Sequence, residues 1–366
     1  MPNPRKIVLI LGNGFDLDLG LKTSYKDFWE SEFCPKAYPA PLIRHLNQRW
    51  KEDDIDTVKW YDLENELFEY AVKGDKSDVV TEEERAYLKE NSDVDLNNKY
   101  RFMGVDDTFK RLADKGYIVG EEVYRIGKTA IMNVIVPYRE DYFQSVIWRD
   151  RQAFQLIKNG LCAYLNTLTY DSLLEETMAH EVLSLMGYAR EEGHCVKIYS
   201  FNYTKTILEV YKDIDSIVDY VHGKCSSSII VGTGDTLEVG DDYDFFLKSF
   251  DRDFKSTTLV KDLGEADNVI IFGHSIGEND RQYFKAFFKR QTDYSNTHEK
   301  DITIFTHNDV SMMEIKRALQ KMTDGNISTL YGLNNLQIIK TERSKEKERA
   351  FMNYHKHFLS FVASSD

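Results

Sequence analysis

Four short stretches of the chain combine residue types that bind nucleotides and move protons, and each directly follows an apolar run. In open α/β sheets, ligands bind at the carboxyl ends of the strands, beside the helices that begin there. The stretches therefore predict one ligand site assembled from several strand ends. Its residues are Gly12, Asn13, Gly14 and Asp16 in "LGNGFD", Asn202 in "SFNYT", His222 in "VHGK", and Gly273, His274, Ser275 and Asp280 in "FGHSIGEND".

Each residue type suggests a role in such a site. The glycines of Gly12–Gly14 let the backbone turn sharply and approach a ligand, and amides at the start of a helix could bind a diphosphate. Asn202 offers one acceptor and two donors, and in a site that cleaves a nucleotide these could hold the attacking water or a ribose hydroxyl. His222 titrates near neutral pH and could accept a proton from either group. Asp16 would repel phosphate, so we expect it to bind a ribose hydroxyl, orient the loop or cap the helix, and we expect a similar role for Asp280.

Each stretch taken alone also has a structural explanation. A Gly-x-Gly can be a tight turn between a strand and a helix, Asn202 can be an ordinary turn residue, and His222 can be a structural hydrogen-bonding group. Leu17 stands where the dinucleotide fingerprint of dehydrogenases has its third glycine, and no Gly-Lys-Ser/Thr follows. The order of the four stretches along the chain is therefore more informative than any one of them.

The apolar runs that precede these stretches define the predicted sheet. They lack strict alternation, which is typical of strands covered on both faces in a parallel α/β sheet. The pattern predicts that the strands before the four stretches end at the same edge, with helices after Asn202 and over Val310–Met322. The runs are Lys6–Leu11, Val196–Phe201, Val218–Val221, Ile229–Val231, Val269–Phe272, Ile302–Phe305 and Leu336–Ile339.

A long block of different character separates the first two runs. Residues 35–185 are rich in charge, and "SVIWRDRQAFQLIKNGLCAYL" repeats apolar residues at helical spacing. We predict that residues 1–34 and 186–345 form a discontinuous nucleotide-binding α/β domain. Residues 35–185 would then be a mostly helical insertion that acts as a lid or a partner-sensing surface, and 346–366 a C-terminal helix.

Composition limits the classes of partner. The 366 residues carry a net charge of −14, which argues against binding nucleic acid or an anionic membrane. The four cysteines, Cys34, Cys162, Cys195 and Cys225, show no Cys-x-x-Cys pair, so we expect reduced thiols. The amino-terminal apolar run is too short to span a membrane. These features predict a soluble cytoplasmic protein, and they leave homo-oligomerisation open.

The order of the motifs resembles that of sirtuin-like domains: a glycine-rich turn, then Asn-Tyr, His-Gly and Gly-x-Ser. In finer detail, "LGNGFDLDLGLKTSYKDF", "WYDLE", "FNYT", "VHG" and "GHSIGENDRQYF" are similar to the bacteriophage abortive-infection AbiH family. The sirtuin-like resemblance implies a Rossmann-like sheet whose glycine-rich loop holds a dinucleotide diphosphate. It further implies that Asn202 and His222 face the nicotinamide ribose, and that the loop Gly273–Ser275 supports the other end of the nucleotide.

The chain departs from the sirtuin-like pattern in three places. Thr204 stands where defence-type domains have Asp, and the first loop reads Gly-Asn-Gly-Phe-Asp instead of Gly-Ala-Gly followed by Ser. No spacing fits the four-cysteine zinc module of sirtuin deacetylases, so no metal site of that kind is predicted and protein deacetylation is disfavoured.

Three functions remain as alternatives. The first is an anti-phage effector that binds NAD, as ligand or substrate, and hydrolyses its N-glycosidic bond, with a phage or host protein as trigger. The second is a catalytically inactive nucleotide-binding sensor or partner-binding module in phage defence. The third is a metal-dependent nuclease in which Asp16, Glu64 and Asp280 gather around Mg²⁺. Glu64 could instead act across the cleft as a second acid or base.

Overall fold

The computed structural model describes residues 4–51, 62–74, 76, 139–170, 176–211, 217–296, 298–342 and 345–363. Its centre is a parallel sheet of six strands in the order β3-β2-β1-β6-β7-β8, and β4 and β5 form a separate antiparallel hairpin. The strands are β1 (Lys6–Leu11), β2 (Cys195–Ser200), β3 (Val218–Tyr220), β4 (Gly223–Lys224), β5 (Ser228–Ile229), β6 (Asn268–Phe272), β7 (Asp301–Thr306) and β8 (Asn335–Lys340).

The sheet confirms most of the predicted strands and corrects one. Six of the seven apolar runs supply strands of a single parallel sheet. The run Ile229–Val231 was predicted to be another strand of it, and that prediction is wrong. Ile229 ends β5, which pairs antiparallel with β4. Gly223 starts the hairpin with a φ of 74°, and a Cβ there would lie 2.1 Å from the carbonyl oxygen of Ser228, so the two strands approach too closely for any side chain.

The register brings the predicted strand ends together. Leu11 pairs with Ser200 on one side and with Phe272 on the other, and Ser200 pairs with Tyr220. The loops after these four strands therefore start at one edge of the sheet, as the sequence predicts. The strand order also reverses between β1 and β6, which is where doubly wound sheets of the order 3-2-1-4-5-6 bind their ligands.

Alternate side chains of a strand point to opposite faces of the sheet, and apolar side chains cover both faces here. In β1, all five residues from Ile7 to Leu11 are at most 1% exposed. Ile7, Leu9 and Leu11 belong to one apolar cluster, which also contains Val182, Leu183, Met186, Tyr354 and Phe358. Val8 and Ile10 belong to the other cluster, which contains Leu259, Leu263, Phe284, Phe288, Ile315 and Leu319.

The helices supply these covering layers. Ser24 and Asp27 form the capping box that starts α2, and Asn308 and Ser311 form another that starts α10, which confirms the predicted helix over Val310–Met322. The helix predicted after Asn202 is α7. The bounds are α1 (Asn13–Asp18), α2 (Tyr25–Glu30), α3 (Pro41–Lys51), α4 (Leu63–Lys73), α5 (Arg139–Leu165), α6 (Met178–Glu191), α7 (Thr206–Val210), α8 (Leu259–Glu265), α9 (Arg281–Arg290), α10 (Asp309–Met322), α11 (Ile327–Leu333) and α12 (Lys345–Ala363).

The predicted helical insertion is described only in part. The segments of 35–185 that the structure describes are helices and their connections, whereas 52–61, 75, 77–138 and 171–175 lie outside the described residues. The insertion and the domain boundaries therefore stay predictions.

The chain divides into two compact units. The first comprises Met1–Cys34, Tyr61–Phe68 and Lys158–Asp366, and it contains the sheet. The second comprises Pro35–Trp60 and Glu69–Ile157. Its core contains the buried carboxylate of Asp150, which accepts hydrogen bonds from the backbone N–H of Leu42 at 2.9 Å and from the Tyr70 hydroxyl at 2.5 Å.

Candidate functional site

The two glycines after β1 pack against the loop after β6. A Cβ on Gly12 would lie 2.5 Å from the Cα of His274, and one on Gly14 would lie 2.6 Å from the Cα of Gly273. Their amides are used in the same contact: Gly12 N–H donates to the Phe272 carbonyl and Gly14 N–H to the Gly273 carbonyl, both at 2.9 Å. The sequence predicts that these two amides bind a diphosphate. In the structure both amides instead donate to carbonyl oxygens of the loop after β6. Their position follows from the pairing of β1 with β6.

A first polar group joins the loops after β1 and β2. The Thr204 hydroxyl donates to Oδ2 of Asp16 at 2.6 Å, and Nδ2 of Asn202 donates to the carbonyl of Gly12 at 3.1 Å. Burial raises the pKa of Asp16 to about 6, although hydrogen bonds from Thr204, Thr206 and Asn202 oppose the shift. Asp16 and Asn202 are both buried, so this group fixes the positions of the two loops relative to each other.

A second polar group is a buried ionic cluster, which we call the Lys248 cluster and define as Glu64, His222, Lys248, His274 and Asp280. The Lys248 ammonium is fully buried and donates to Oδ1 of Asp280 at 2.8 Å and to Oε2 of Glu64 at 3.0 Å. Nε2 of His222 lies 3.2 Å from Oδ1 of Asp280, and Nε2 of His274 lies 3.3 Å from Oδ2. One carboxylate thus faces one lysine and two histidines.

The loop after β6 holds His274 in one orientation. Nδ1 of His274 accepts a hydrogen bond from the backbone N–H of Ile276 at 2.9 Å, so the proton of the neutral ring lies on Nε2, which faces Asp280. Ile276 has a φ of 46°, a left-handed conformation that a β-branched residue rarely adopts. Such a conformation costs on the order of 1–3 kcal/mol and persists where the surrounding structure enforces it, often at functional sites.

Burial and charge shift the pKa values of Lys248 and of its two carboxylate partners. Burial raises the pKa of Glu64 to about 8, against the opposing charge of Lys248. Burial would also raise the pKa of Asp280, but Lys248 and His222 hold it well below the ordinary value. Burial lowers the pKa of Lys248, yet the carboxylates of Asp280 and Glu64 raise it above the usual range. At neutral pH, Lys248 and Asp280 are charged and Glu64 retains its proton.

His222 is neutral in this cluster. Burial, together with the nearby charge of Lys248, lowers its pKa to about 4, whereas Asp280 acts in the opposite direction. Phe201 covers both imidazoles: its ring centre lies 5.0 Å from that of His222 and 4.3 Å from that of His274, each in an edge contact. Burial also raises the pKa of Tyr25 and Tyr203 well above the usual value, so both phenols stay protonated.

A cavity of about 520 Å³ opens beside the chain segment that carries His222, although the His222 side chain is not part of its lining. Val221 and Gly223, the two chain neighbours of His222, line it together with the end of β3 and the β4–β5 hairpin. Its charged lining comprises the cations Lys224, Arg252 and Lys255 and the carboxylates Asp219 and Asp253.

The structure places the predicted site residues in two neighbouring groups. Gly12, Asp16 and Asn202 lie at the ends of β1 and β2, and His222, His274 and Asp280 lie in the Lys248 cluster. Gly14 and Gly273 form the contact between the two loops that connects these groups. Asn13 accepts a hydrogen bond from the Thr23 hydroxyl through Oδ1 at 2.6 Å, and Ser275 is exposed.

Sequence reasoning missed Lys248. It follows the aromatic run "YDFFL" and lies in a 3₁₀ turn, Lys248–Phe250, outside every motif that attracted attention. The only sequence signal for this residue is a lysine inside an aromatic and apolar run, since such a run predicts burial. Lysine is almost never fully buried unless it is paired, so a buried lysine indicates acidic partners.

The carboxylates of the nuclease alternative are arranged differently from a metal site. An ammonium lies between Glu64 and Asp280, while Asp16 is bonded to Thr204. Across the described ranges, no group of three His, Cys, Asp or Glu side chains is positioned to hold a metal ion. Among the helices that the structure describes, none is long and apolar enough to cross a membrane.

Comparison with known proteins identifies the family. Residues 8–306 match the family described as bacteriophage abortive infection AbiH, and this span contains every candidate site residue. No curated protein and no solved structure matches the chain. The family match covers well over half of the 366 residues, which confirms the resemblance of the sequence motifs to the AbiH family. The chain therefore belongs to the bacteriophage abortive infection AbiH family.

Proposed function

We propose that this abortive-infection protein binds NAD at the carboxyl edge of its sheet and hydrolyses the bond between nicotinamide and ribose. The observation that carries the proposal is the Lys248 cluster, which places a neutral histidine and a buried acid beside the reversal of strand order. Groups with strongly shifted pKa values at such a position are typical of catalytic sites.

The order of the strand ends supports the choice of NAD. The glycine turn follows β1, Asn202 follows β2 and His222 follows β3, which is the series that sirtuin-like domains present to a dinucleotide. In that series the asparagine and the histidine face the nicotinamide ribose.

The chemistry needs little more than positioning and charge. Cleavage gives a sugar with oxocarbenium character, and nicotinamide leaves as a neutral molecule with the bonding electron pair, so the protein need not protonate it. Nε2 of His222 faces Asp280, so a ring proton on that nitrogen would leave Nδ1 to accept the proton of the attacking water or of a ribose hydroxyl. Asp280 would stabilise the imidazolium formed in that step.

The diphosphate would then be bound by side chains instead of by the amides of Gly12 and Gly14. Lys224, Arg252 and Lys255 supply three cations to the cavity beside His222, whose two carboxylates leave its lining with a net positive charge. Cations of this kind suit phosphate groups, and arginine can bind them through two parallel hydrogen bonds.

A catalytically inactive nucleotide sensor is the second candidate, and the environment of Asn202 favours it. The Asn202 side chain is only 8% exposed, and its amide donates to the carbonyl of Gly12. Thr204 also replaces the Asp of defence-type sirtuin-like domains. If the protein is such a sensor, the nucleotide binds without being cleaved. A phage or host protein that contacts the helical region then distinguishes the nucleotide-bound protein from the free one.

The two candidates are separated by incubating the purified full chain with NAD and following both NAD binding and nicotinamide release. If the protein is an NAD hydrolase, His222→Gln and Asn202→Ala lower release by roughly two to three orders of magnitude. His357, which pairs with Asp301 on the surface at 3.0 Å, provides the matched control, and His357→Ala retains full turnover.

Melting temperatures measured on the same samples distinguish loss of chemistry from loss of fold. Binding of NAD without nicotinamide release from the wild type would support the sensor, and absence of binding would contradict both candidates.

A further inference from the structure

Two cysteines that are distant in sequence meet beside the site. Cys162 lies on α5, and Cys225 lies in the turn of the β4–β5 hairpin, three residues after His222. Their Sγ atoms are 2.6 Å apart and both residues are partly exposed, so a small oxidant in solution can reach the pair. The other two cysteines are arranged differently, since Cys34 is buried and Cys195 is exposed on β2.

The two sulfurs are electronically unequal. The contact with Cys225 lowers the pKa of Cys162, burial opposes this shift, and Lys158, one helical turn earlier, also lowers the pKa. The same contact raises the pKa of Cys225. Two adjacent sulfurs, one of them a thiol with a lowered pKa one helical turn from a lysine, match the arrangement of a reactive cysteine beside a resolving one.

The hairpin that carries Cys225 is bonded directly to the predicted catalytic loops. The backbone N–H of Cys225 donates to the carbonyl of Tyr203, the neighbour of Asn202, at 2.9 Å. The backbone N–H of Ile230 donates to the carbonyl of His222 at 2.8 Å. A constraint placed on Cys225 thus acts on the segments that position Asn202 and His222.

We propose that Cys162 and Cys225 form a peroxide-sensitive dithiol whose oxidation to a disulfide fastens the β4–β5 hairpin to α5. The Cys162 thiolate attacks one oxygen of a hydroperoxide, the O–O bond breaks, and Cys162 becomes a sulfenic acid while hydroxide or alkoxide leaves. The Cys225 thiol then attacks the Cys162 sulfur, the S–S bond forms and water departs. The peroxide takes up the two electrons and the two thiol protons. The site is independent of whether the protein cleaves NAD.

The test oxidises the reduced full chain with hydrogen peroxide, alkylates the remaining thiols and maps the disulfides by mass spectrometry. We expect a Cys162–Cys225 cross-link to form at peroxide concentrations that leave Cys195 able to react with the alkylating agent. Thiol reductant reverses the cross-link. In Cys225→Ser the reaction stops at a sulfenic acid on Cys162, which dimedone traps, whereas Cys195→Ser behaves as the wild type.

Hydrogen exchange provides a second readout that does not depend on activity. The amides of residues 223–230 should exchange on the order of tenfold more slowly after oxidation, because the cross-link restricts opening of the hairpin. The proposal is overturned if Cys162 and Cys225 both remain alkylatable when Cys195 is already oxidised. It is equally overturned if the cross-link forms and exchange of the hairpin is unchanged.

Discussion

Two lysines of this protein each lie between two carboxylates, one at the amino end of the sheet and one beyond its carboxyl end. At the amino end, the Lys6 ammonium contacts Asp262 at 2.5 Å and Glu265 at 2.7 Å. Asp262 has further partners in the hydroxyls of Tyr199 and Thr258, and the Glu265 side chain is 52% exposed. Both carboxylates have pKa values below the usual range, and hydrogen bonding to Lys6 is the leading favourable cause.

The Lys248 cluster also places a lysine between two acidic side chains, but in different surroundings. Its ammonium is completely buried, and two histidines share one of its carboxylates. The two acids diverge: Glu64 holds a proton up to about pH 8, whereas Asp280 is ionised well below its ordinary range. Pairs of groups whose environments push their pKa values apart are suited to acid–base chemistry. Both lysines are paired with two acidic side chains, and the two sites differ in burial. Burial therefore separates the pKa values of Glu64 and Asp280 and makes the Lys248 cluster a candidate catalytic site.

The largest expected effect is on the free energy of unfolding, when Lys248 and Lys6 are each replaced by methionine. Lys248→Met leaves the ionised carboxylate of Asp280 buried without its cation, so the free energy of unfolding should fall by about 3–5 kcal/mol. Lys6→Met is the matched control and should cost about 1 kcal/mol, because solvent and hydroxyl partners remain for its carboxylates. Urea unfolding of both variants measures the difference. Equal losses would remove the contrast between the two ends.

The second-largest expected effect is a pH dependence of the free energy of unfolding that is caused by Glu64. The folded state holds this proton more tightly than the unfolded state, so the stabilisation is complete below about pH 4.5 and is lost as the pH rises through about 8. His222 has the opposite sign: its contribution is lost as the pH falls from 6.5 through about 4. Between pH 6.5 and 8 the Glu64 contribution therefore falls by roughly 2 kcal/mol, at about 1.36 kcal/mol per unit.

Unfolding curves at pH 6.5, 7.25 and 8 check this slope. Glu64→Gln should abolish the Glu64 contribution, whereas Glu265→Gln should leave the wild-type slope intact, since the pKa of Glu265 lies below this window. An unchanged slope in Glu64→Gln would show that Glu64 does not hold a proton at neutral pH.

The smallest effect concerns the hydroxyl of Tyr199, which bonds to the partner of Lys6, Asp262. Tyr199 donates to Asp262 and lies 2.8 Å from the Thr258 hydroxyl. Tyr199→Phe should lower the free energy of unfolding by about 1 kcal/mol, because Asp262 keeps its other partners. Phage protection should be unaffected at equal protein levels. A loss of protection by the folded variant would mean that the surroundings of Lys6 and Asp262 also have a functional role.

The strand ends could be predicted from sequence because short apolar runs followed by Gly, Asn or His are local patterns. The neighbours of each strand are not local. Gly12 and Gly14 were expected to approach a ligand, but β6 lies beside β1 and its loop occupies that space. Ile229 has the composition of a sheet strand, but the turn at Gly223 returns it to its own hairpin.

The Lys248 cluster could be predicted only in part for the same reason. His222 and Asp280 belong to motifs that attract attention, and Glu64 lies in "WYDLE". Lys248 has no motif, and the contact that gives it a role joins Glu64 and Asp280, which are 216 residues apart by their numbering. A fully buried lysine is recognisable once its partners are known, and the partners come from tertiary packing.

The central claim is that the carboxyl end of the sheet performs the function and the amino end supports the fold. The most direct test compares Asp280→Asn with Asp262→Asn in cells challenged with phage, at a temperature where both purified variants are folded. Each change removes one negative charge beside a lysine and keeps the side-chain shape. We predict that Asp280→Asn loses protection and Asp262→Asn retains it at equal protein levels. Full protection by Asp280→Asn would contradict the assignment of the site.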